Sequence, residues 1–343
     1  MNAVPGGTDP RGTQAIGAAP ALLPSLPGWT VPEFRLAPVV RRYSTVGDVL
    51  SYKRCRRQYG LNGVRAYAST ALTQQYFGLL IHDALDRLHR DFVRSGGELP
   101  SLGDVRNTVF ELHERLVLAG VRSGSARDQR DTVAKLVWRL SQLIGKAFFA
   151  GIIETELQLE RGLQTSQGLE YVLTGVVDAL TGPVYSALGL GEGHGAEIWD
   201  YKSASLGDEA HDTVTDTLAD YEFQMLVYAE LYRLQHGRFP QRCVLVFVSV
   251  LGDDRQWEAS GGRLHHYAGK LFHVVVPDQH NVAAAMAEFQ GTVELIEYER
   301  ARPYAAQWAP PAHAVSEKTC KACDFRFCCP QYPAGLTERS QPF

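Results

Sequence analysis

The chain has 343 residues and a formal net charge of −4. That length can bury a sizeable core without disulfide staples, but the charge excludes a general polyanion binder, whose affinity rests on neutralising phosphates with Lys and Arg. No apolar run approaches the roughly 18 to 20 residues that span a bilayer, and the Pro-broken stretch at residues 18–27 is a poor signal-peptide core, so a cytoplasmic protein is expected. Six cysteines are too few for a disulfide scaffold of this size, and four crowd into residues 320–329, as metal ligands do.

Residues 1–40 hold seven Pro and five Gly with little periodicity, which predicts a flexible tail. A basic window follows. Residues 41–65 carry seven cations (Arg41, Arg42, Lys53, Arg54, Arg56, Arg57, Arg65) against the single acid Asp48. Within it, residues 44–59 read as a helix with Ser44 as N-cap and Val46, Val49 and Leu50 on one face; Cys55 lies near its end. Phe77, Ile81, Leu85, Leu88 and Phe92 recur at spacings of three and four, predicting a strong amphipathic helix with His82 at the edge of its stripe. Two more helices are read from Val105, Val109, Leu112 and Leu116 and from Val133, Leu136, Val137, Leu140, Ile144 and Phe148. They form a helical insert over about residues 95–150.

At Ile152 the period changes to two. Ile153, Thr155, Leu157 and Leu159 alternate with Glu154, Glu156, Gln158 and Glu160, as in a half-buried strand. Residues 171–180 and 197–202 read as two further strands around a Gly-rich loop at 182–195, suggesting an antiparallel meander. A helix over 221–236 leads to an apolar run at 243–251, expected of a strand buried on both faces. A last helix near 282–300 precedes the cysteines and a polar tail at 331–343.

Side chains two apart on a strand share a face, so Asp200 and Lys202 emerge side by side. Asp178 closes the preceding strand after Gly175, which permits close approach; if the two strands pair, the carboxylates converge. Two carboxylates and an imidazole, with His82 the candidate third ligand, suit Mg²⁺ or Mn²⁺, which can polarise a phosphodiester and acidify water. Lys202 would orient that water and offset charge developing on phosphate. Asp-x-Lys alone is a common surface ion pair, whereas the order His82, Gly175-x-x-Asp178, Asp200-x-Lys202, Gln224-x-x-x-Tyr228 is far more specific. Glu156 is read as part of a solvated acidic face.

That order resembles the RecB-like branch of the PD-(D/E)XK nucleases, which includes the nuclease domains of RecB and AddB and the CRISPR-associated RecB-like exonucleases. The likeness spans residues 43–330. Tyr43-Ser44-Thr45 through Cys55-Arg56-Arg57-Gln58-Tyr59 is similar to the family's first helix, and Gly78-Leu79-Leu80-Ile81-His82 to its histidine motif. Thr174-Gly175-Val176-Val177-Asp178 and Trp199-Asp200-Tyr201-Lys202 resemble its two acidic motifs, and Gln224 with Tyr228 its Gln-x-x-x-Tyr element. The resemblance implies a mixed α/β (α+β) fold over residues 41–330, with a restriction-endonuclease-like core of helix, three-strand meander, helix and strand. It also implies a metal-dependent exonuclease acting on DNA ends in repair, recombination or CRISPR adaptation. His82, Asp178, Asp200 and Tyr201 are implied at the metal, and His82, Asp178, Asp200, Lys202, Gln224 and Tyr228 in catalysis. The long interval from Asp178 to Asp200, which contains the 182–195 insert, departs from a tight hairpin.

Cys320-x2-Cys323-x5-Cys329, followed by Pro330 and with Cys55 far upstream, is a thiolate set for zinc or an iron-sulfur cluster. Spacing does not choose, since four-cysteine zinc sites also use Cys-x2-Cys. The resemblance favours a 4Fe-4S cluster on Cys55, Cys320, Cys323 and Cys329, with Cys328 an adjacent competitor and Cys243 a buried small hydrophobe. Joining Cys55 to Cys320 would remove about 5 kcal/mol of unfolded-chain entropy. It would also bring the basic window towards Lys318, Lys321 and Arg326, as a surface that tracks DNA. The chain has no Gly-x-x-x-x-Gly-Lys-Ser/Thr loop, so a helicase subunit or CRISPR integrase is the partner expected where unwinding is needed. The competing reading is a catalytically lapsed iron-sulfur or zinc DNA-binding module serving such a partner, which the intact His82, Asp178, Asp200 and Lys202 argue against.

Overall fold

Alternating and apolar runs in the middle of the chain build a six-stranded mixed sheet. The computed structural model describes residues 40–64, 73–121, 126–203, 217–303, 308–309, 315, 317–321, 323–326 and 329–330. The expected tails, Arg65 and Cys328 lie outside the described residues, as does the side chain of Lys318. β1 (Arg41–Ser44) leads into a π-helical turn, Thr45–Leu50, and two single-turn helices, α1 (Ser51–Arg54) and α2 (Arg56–Tyr59). Three long helices follow: α3 (Thr73–Arg94), α4 (Leu102–Leu118) and α5 (Ala126–Gly151). Then come β2 (Ile152–Gln164), β3 (Glu170–Thr181), α6 (Val184–Ala187), β4 (Glu197–Lys202), α7 (Leu218–His236) and β5 (Arg242–Phe247). The described chain continues through α8 (Asp254–Ser260), α9 (Ala268–Leu271), β6 (Phe272–Val275), α10 (Gln279–Ala301) and α11 (Glu317–Lys321).

β2, β3 and β4 form the expected antiparallel succession. β2 runs along one edge of β3 for nearly its whole length. The other edge is shared: β1 pairs in parallel with residues 171–174, and β4 pairs antiparallel with residues 179–181. Residues 175–178 therefore face a notch where neither neighbour pairs. β4 is held from its far side, where all six of its residues pair in parallel with β5, and β5 pairs antiparallel with β6.

Apolar side chains cover both faces of this sheet. On one, α3, α4 and α5 pack on Trp199, Tyr201, Val244 and Val246. On the other, α7, α10 and residues around Tyr43, Val49 and Tyr59 pack on Leu173, Val177, Ile198 and Leu245. The 182–195 insert is anchored by Glu197, which is fully buried. Its Oε2 accepts from the Tyr185 N–H at 2.9 Å and Trp199 Nε1 at 3.1 Å, and Arg242 Nε lies 3.3 Å from Oε1.

Three sequence expectations need adjustment. The helix expected over residues 44–59 is present but irregular, π-helical over Thr45–Leu50, continuous with α1 and interrupted at Cys55 before α2, with Ser44 at its N-cap position. Ser44 does not cap a helix with its side chain; its N–H and hydroxyl both donate to Asp48 Oδ2, at 2.7 and 2.9 Å. Cys55 is extended (φ −159°, ψ 103°) and separates α1 from α2. The apolar run at 243–251 is strand only to Phe247 and then turns as a 3-10 helix, Val248–Gly252, with Val248 and Leu251 still buried. An apolar run reports burial, not backbone geometry. β1 and β6, four residues each, are too short to show a period.

The C-terminal segment is latched onto α2. Buried Trp308 stacks edge-on against Tyr59 at 5.8 Å, and its N–H donates to Glu299 Oε2 at 3.1 Å. Arg56 Nε donates to the Ala309 carbonyl at 2.9 Å, and Arg302 binds both Glu299 oxygens. Gly60 is what admits the indole, because a Cβ there would sit 2.1 Å from the Trp308 ring. Gly60→Ala should therefore overpack the latch and cost about 1–3 kcal/mol, read as a lower urea midpoint. Gly63→Ala, whose methyl meets Tyr59 at an ordinary 3.4 Å, is the comparison, and equal midpoints for the two variants would contradict this packing.

Candidate metal centre

β3 and β4 pair as far as Ala179 and Trp199 and then part. The Tyr201 N–H, beyond the end of that ladder, donates to Asp178 Oδ2 at 2.7 Å. The other oxygen of Asp178 lies 3.1 Å from Nδ1 of His82 on α3. Asp200 and Lys202 do emerge together, with Nζ 2.6 Å from Asp200 Oδ2. Lys202 also donates to Gln224 Oε1 at 2.8 Å and stands 4.6 Å from the Tyr221 ring centroid. Gln224 Nε2 donates to the Tyr228 hydroxyl at 2.9 Å and, more weakly, to Asp200 Oδ1 at 3.3 Å.

α7 carries Gln224 and Tyr228, and a capping box between Thr217 and Asp220 starts it. It lies against the notch because β3 has a glycine there. A Cβ on Gly175 would meet Tyr228 Cε1 at 2.8 Å and Leu231 Cδ1 at 3.0 Å, so the close approach expected at Gly175 is made by helix side chains.

Glu156 is exposed, as the reading of a solvated acidic face expected, yet the strand register also brings it to Asp178. Thr155 pairs with Ala179 and Leu157 with Val177, so Glu156 stands opposite Asp178. Its φ of +50° is a left-handed conformation that costs energy in a residue with a side chain. One ligand atom each from His82, Glu156 and Asp178 lie within 4.8 Å of one another. On β2 alone four polar side chains alternate with equal standing; only the register with β3 singles out this one. Tyr201 enters through its main chain, since its side chain packs in the core with its ring 6.3 Å from that of His82.

These donors fit a hard divalent ion. Carboxylate oxygens and one imidazole nitrogen are the ligands of Mg²⁺ or Mn²⁺, which bind at about 2 Å, and the trio is already gathered. Asp200 is buried and its Oδ2 has the Lys202 ammonium as partner at 2.6 Å.

The electrostatics agree. Burial draws the His82 imidazole down, but the carboxylates of Asp178 and Asp200 outweigh it and lift its pKa to about 9. Burial pushes Asp178 up, yet His82, the Tyr201 N–H and Lys202 hold it below the usual carboxylate range. Asp200 goes the other way, raised by burial and by Asp178 against the pull of Lys202. Burial and the Asp178 charge also raise Glu156. Asp200 is the acid of this group held fully away from water, while Glu156 is exposed; a cation would relieve the negative charge they share with Asp178.

Among the described residues the group of ligand atoms close enough to hold an ion is that of His82, Glu156 and Asp178, and no cysteine belongs to it. Cys55 projects from the break between α1 and α2, while Cys320 lies on α11. A chain of turns follows, in which the N–H groups of Cys323, Arg326 and Cys329 donate to the carbonyls of Cys320, Cys323 and Arg326. Burial raises Cys320, and the charges of Cys55 and Cys329 add to it. Burial, with the same two charges, lifts Cys323 to about 11. Cys243 is fully buried in β5.

The basic window is largely spoken for. Arg41 pairs with Glu297, Lys53 with Glu288 and Arg56 with Glu299, all on α10, and Arg42 with Glu160 on β2. The positive surface expected from the residue count is thus mostly neutralised by carboxylates distant in sequence.

The family model described as the PD-(D/E)XK nuclease superfamily matches residues 44–330. No protein of curated function matches the chain. Among the described residues, no helix is long and apolar enough to cross a membrane.

The His82 shift sets a pH dependence for protein in chelator. A folded pKa near 9 above the ordinary 6.5 or so means the His82–Asp178 pair stabilises fully below about pH 6.5 and less as pH rises through about 9. The gap in urea midpoint between wild type and His82→Gln should shrink across that window. A gap independent of pH would refute the ion pair.

Proposed function

Because the chain belongs to the PD-(D/E)XK nuclease superfamily, whose members are generally metal-dependent nucleases, we propose that it is a divalent-metal-dependent deoxyribonuclease of the RecB-like type, degrading DNA as an exonuclease from its ends. The observation that carries this reading is the gathering of His82, Glu156 and Asp178 ligand atoms within 4.8 Å, beside the Asp200–Lys202 pair.

His82, Glu156, Asp178 and Asp200, with the main chain of Tyr201, would hold Mg²⁺ or Mn²⁺. A divalent ion bound there polarises the scissile phosphodiester and acidifies the attacking water. His82 must give up its proton to become a ligand, so binding is favoured as pH rises. Lys202 orients the water and offsets the charge that builds on phosphate as the water oxygen bonds to phosphorus and the sugar oxygen leaves. Gln224 fixes Lys202 and Asp200 through hydrogen bonds, and Tyr228 fixes Gln224; both act by positioning.

The thiols of Cys55, Cys320, Cys323 and Cys329 would hold a 4Fe-4S cluster that staples the two ends of the domain, with zinc as the colourless alternative. The mutual influence of their charges supports a shared site. Recombination, repair and CRISPR adaptation are the settings in which an end-directed nuclease of this kind acts, alongside a helicase subunit or an integrase.

Anaerobically purified protein should degrade end-labelled single- or double-stranded DNA in Mg²⁺ or Mn²⁺ and not in chelator. Asp200→Ala and Lys202→Ala should each lower the rate by about 10²-fold or more with unchanged circular dichroism, and Glu156→Gln should raise the metal concentration needed. Full activity in both Asp200→Ala and Lys202→Ala would remove the assignment.

Wild type should be brown with visible charge-transfer absorption, and Cys320→Ser should bleach it and lower its melting temperature. A colourless, zinc-loaded wild type would replace the cluster with zinc.

A further inference from the structure

Between α4 and α5 lies a cavity of about 310 Å³ lined by Arg106, Asn107, Phe110, Arg127, Arg130 and Asp131. Three guanidinium groups meet one carboxylate there. Several arginines on other helices are matched with acids, Arg87 with Asp91, Arg90 with Asp86 and Arg233 with Glu230. Among the described residues, no carboxylate is within ion-pair distance of Arg106, Arg127 or Arg130, even with Asp131 on the same rim. Phe110 is 53% exposed at this cavity, and the Arg130 guanidinium stands 5.2 Å from its ring centroid.

The helices that form the cavity meet the helix of the candidate metal centre at a buried hydrogen bond, where His113 Nδ1 on α4 lies 2.7 Å from the Tyr76 hydroxyl on α3. Tyr76 precedes His82 by about 9 Å along that helix.

Guanidinium forks match phosphate geometry, and an aromatic face flanked by arginine takes any base by stacking. The geometry points to a binding site in this cavity for one nucleotide of a single-stranded DNA, its phosphate held by Arg106 and Arg127 and its base stacked on Phe110. This rests on the nuclease reading for the choice of a strand over a free anion. The site grips the strand away from the scissile bond, so it contributes affinity for long strands and nothing to the chemical step.

The test uses full-length protein and a fluorescein-labelled thymidine oligonucleotide of about 20 residues. Anisotropy in chelator gives Kd between about 50 and 200 mM salt, and cleavage in Mg²⁺ is followed on the same oligonucleotide and on a dinucleotide. Phe110→Ala should raise Kd about 10-fold. Arg106→Ala with Arg127→Ala should raise it further and lower the salt slope by about 0.7 per arginine. Arg238→Ala, an exposed arginine beyond α7, should leave Kd alone. Both cavity variants should raise KM for the long strand and cleave the dinucleotide like wild type. Wild-type Kd in both cavity variants, or an equal loss in Arg238→Ala, overturns the site. So does tight binding of thymidine monophosphate with no preference for the strand. A wild type that binds through the cavity residues but never cleaves would sink the nuclease reading and leave this site standing.

Discussion

The interrupted edge of β3 governs this molecule. A buried backbone N–H must find a partner, and once β3 and β4 stop pairing at Ala179 and Trp199 the Tyr201 N–H finds one in the Asp178 carboxylate. That bond fixes one oxygen of Asp178 and leaves the other for His82. It also keeps the strand ends apart, so that groups from both sides of the sheet meet in one place: His82 from the helices on one face, Gln224 and Tyr228 from α7 on the other. Continued pairing in the register of Ala179 and Trp199 would have set Asp178 opposite Asp200 on one face but engaged the Tyr201 backbone elsewhere and sealed the notch that α7 fills. The lost pairing is offset by β5, which holds β4 along its whole length.

Burying two carboxylates side by side costs several kcal/mol unless each is paired. The division of partners answers that cost. Asp178 takes the imidazole and a main-chain donor and is driven down; Asp200 takes Lys202 alone for its second oxygen and is driven up. His82 and Lys202 match the two aspartates one for one, and Glu156 opposite Asp178 supplies the excess of carboxylate. Its left-handed backbone is strain of the kind that persists where surrounding structure overdetermines a residue.

What could be read from the sequence was what a local period encodes. Asp200 and Lys202 share a face because strands repeat every two residues, and Gln224 and Tyr228 share one because helices bring positions four apart together. Gly175 was legible as a place of close approach. The place of Glu156 opposite Asp178 was not, because it depends on register with a strand that the alternation on β2 cannot specify. β1 was hidden for the same reason: it is four residues long, and its partner lies far along the chain. Residues 44–59 look helical by spacing and are, but Asp48 captures Ser44 and the extended Cys55 breaks the run. Counting charges failed in the same segment. Arg41, Lys53 and Arg56 serve to tie β1, α1 and α2 to α10, while Arg106, Arg127 and Arg130 of the insert have no ion pair among the described residues.

Cys55 and the latch residues Arg56 and Tyr59 occupy one short stretch of chain, so the thiol site and the packing of Trp308 cannot be independent. The hydrogen bonds of Glu299 to Arg302 and Trp308 and the indole seated over Gly60 already bring the C-terminal segment back to α2 with no bound group. A cation held by the four thiols would then bind a folded arrangement in preference to the unfolded chain and stabilise it by mass action. It would also remove a repulsion, since the thiols of Cys55 and Cys329 raise those of Cys320 and Cys323 when no cation stands between them. Packing at Trp308 and Ala309 therefore holds the chain beside α2, and a group bound by the thiols would add to that hold.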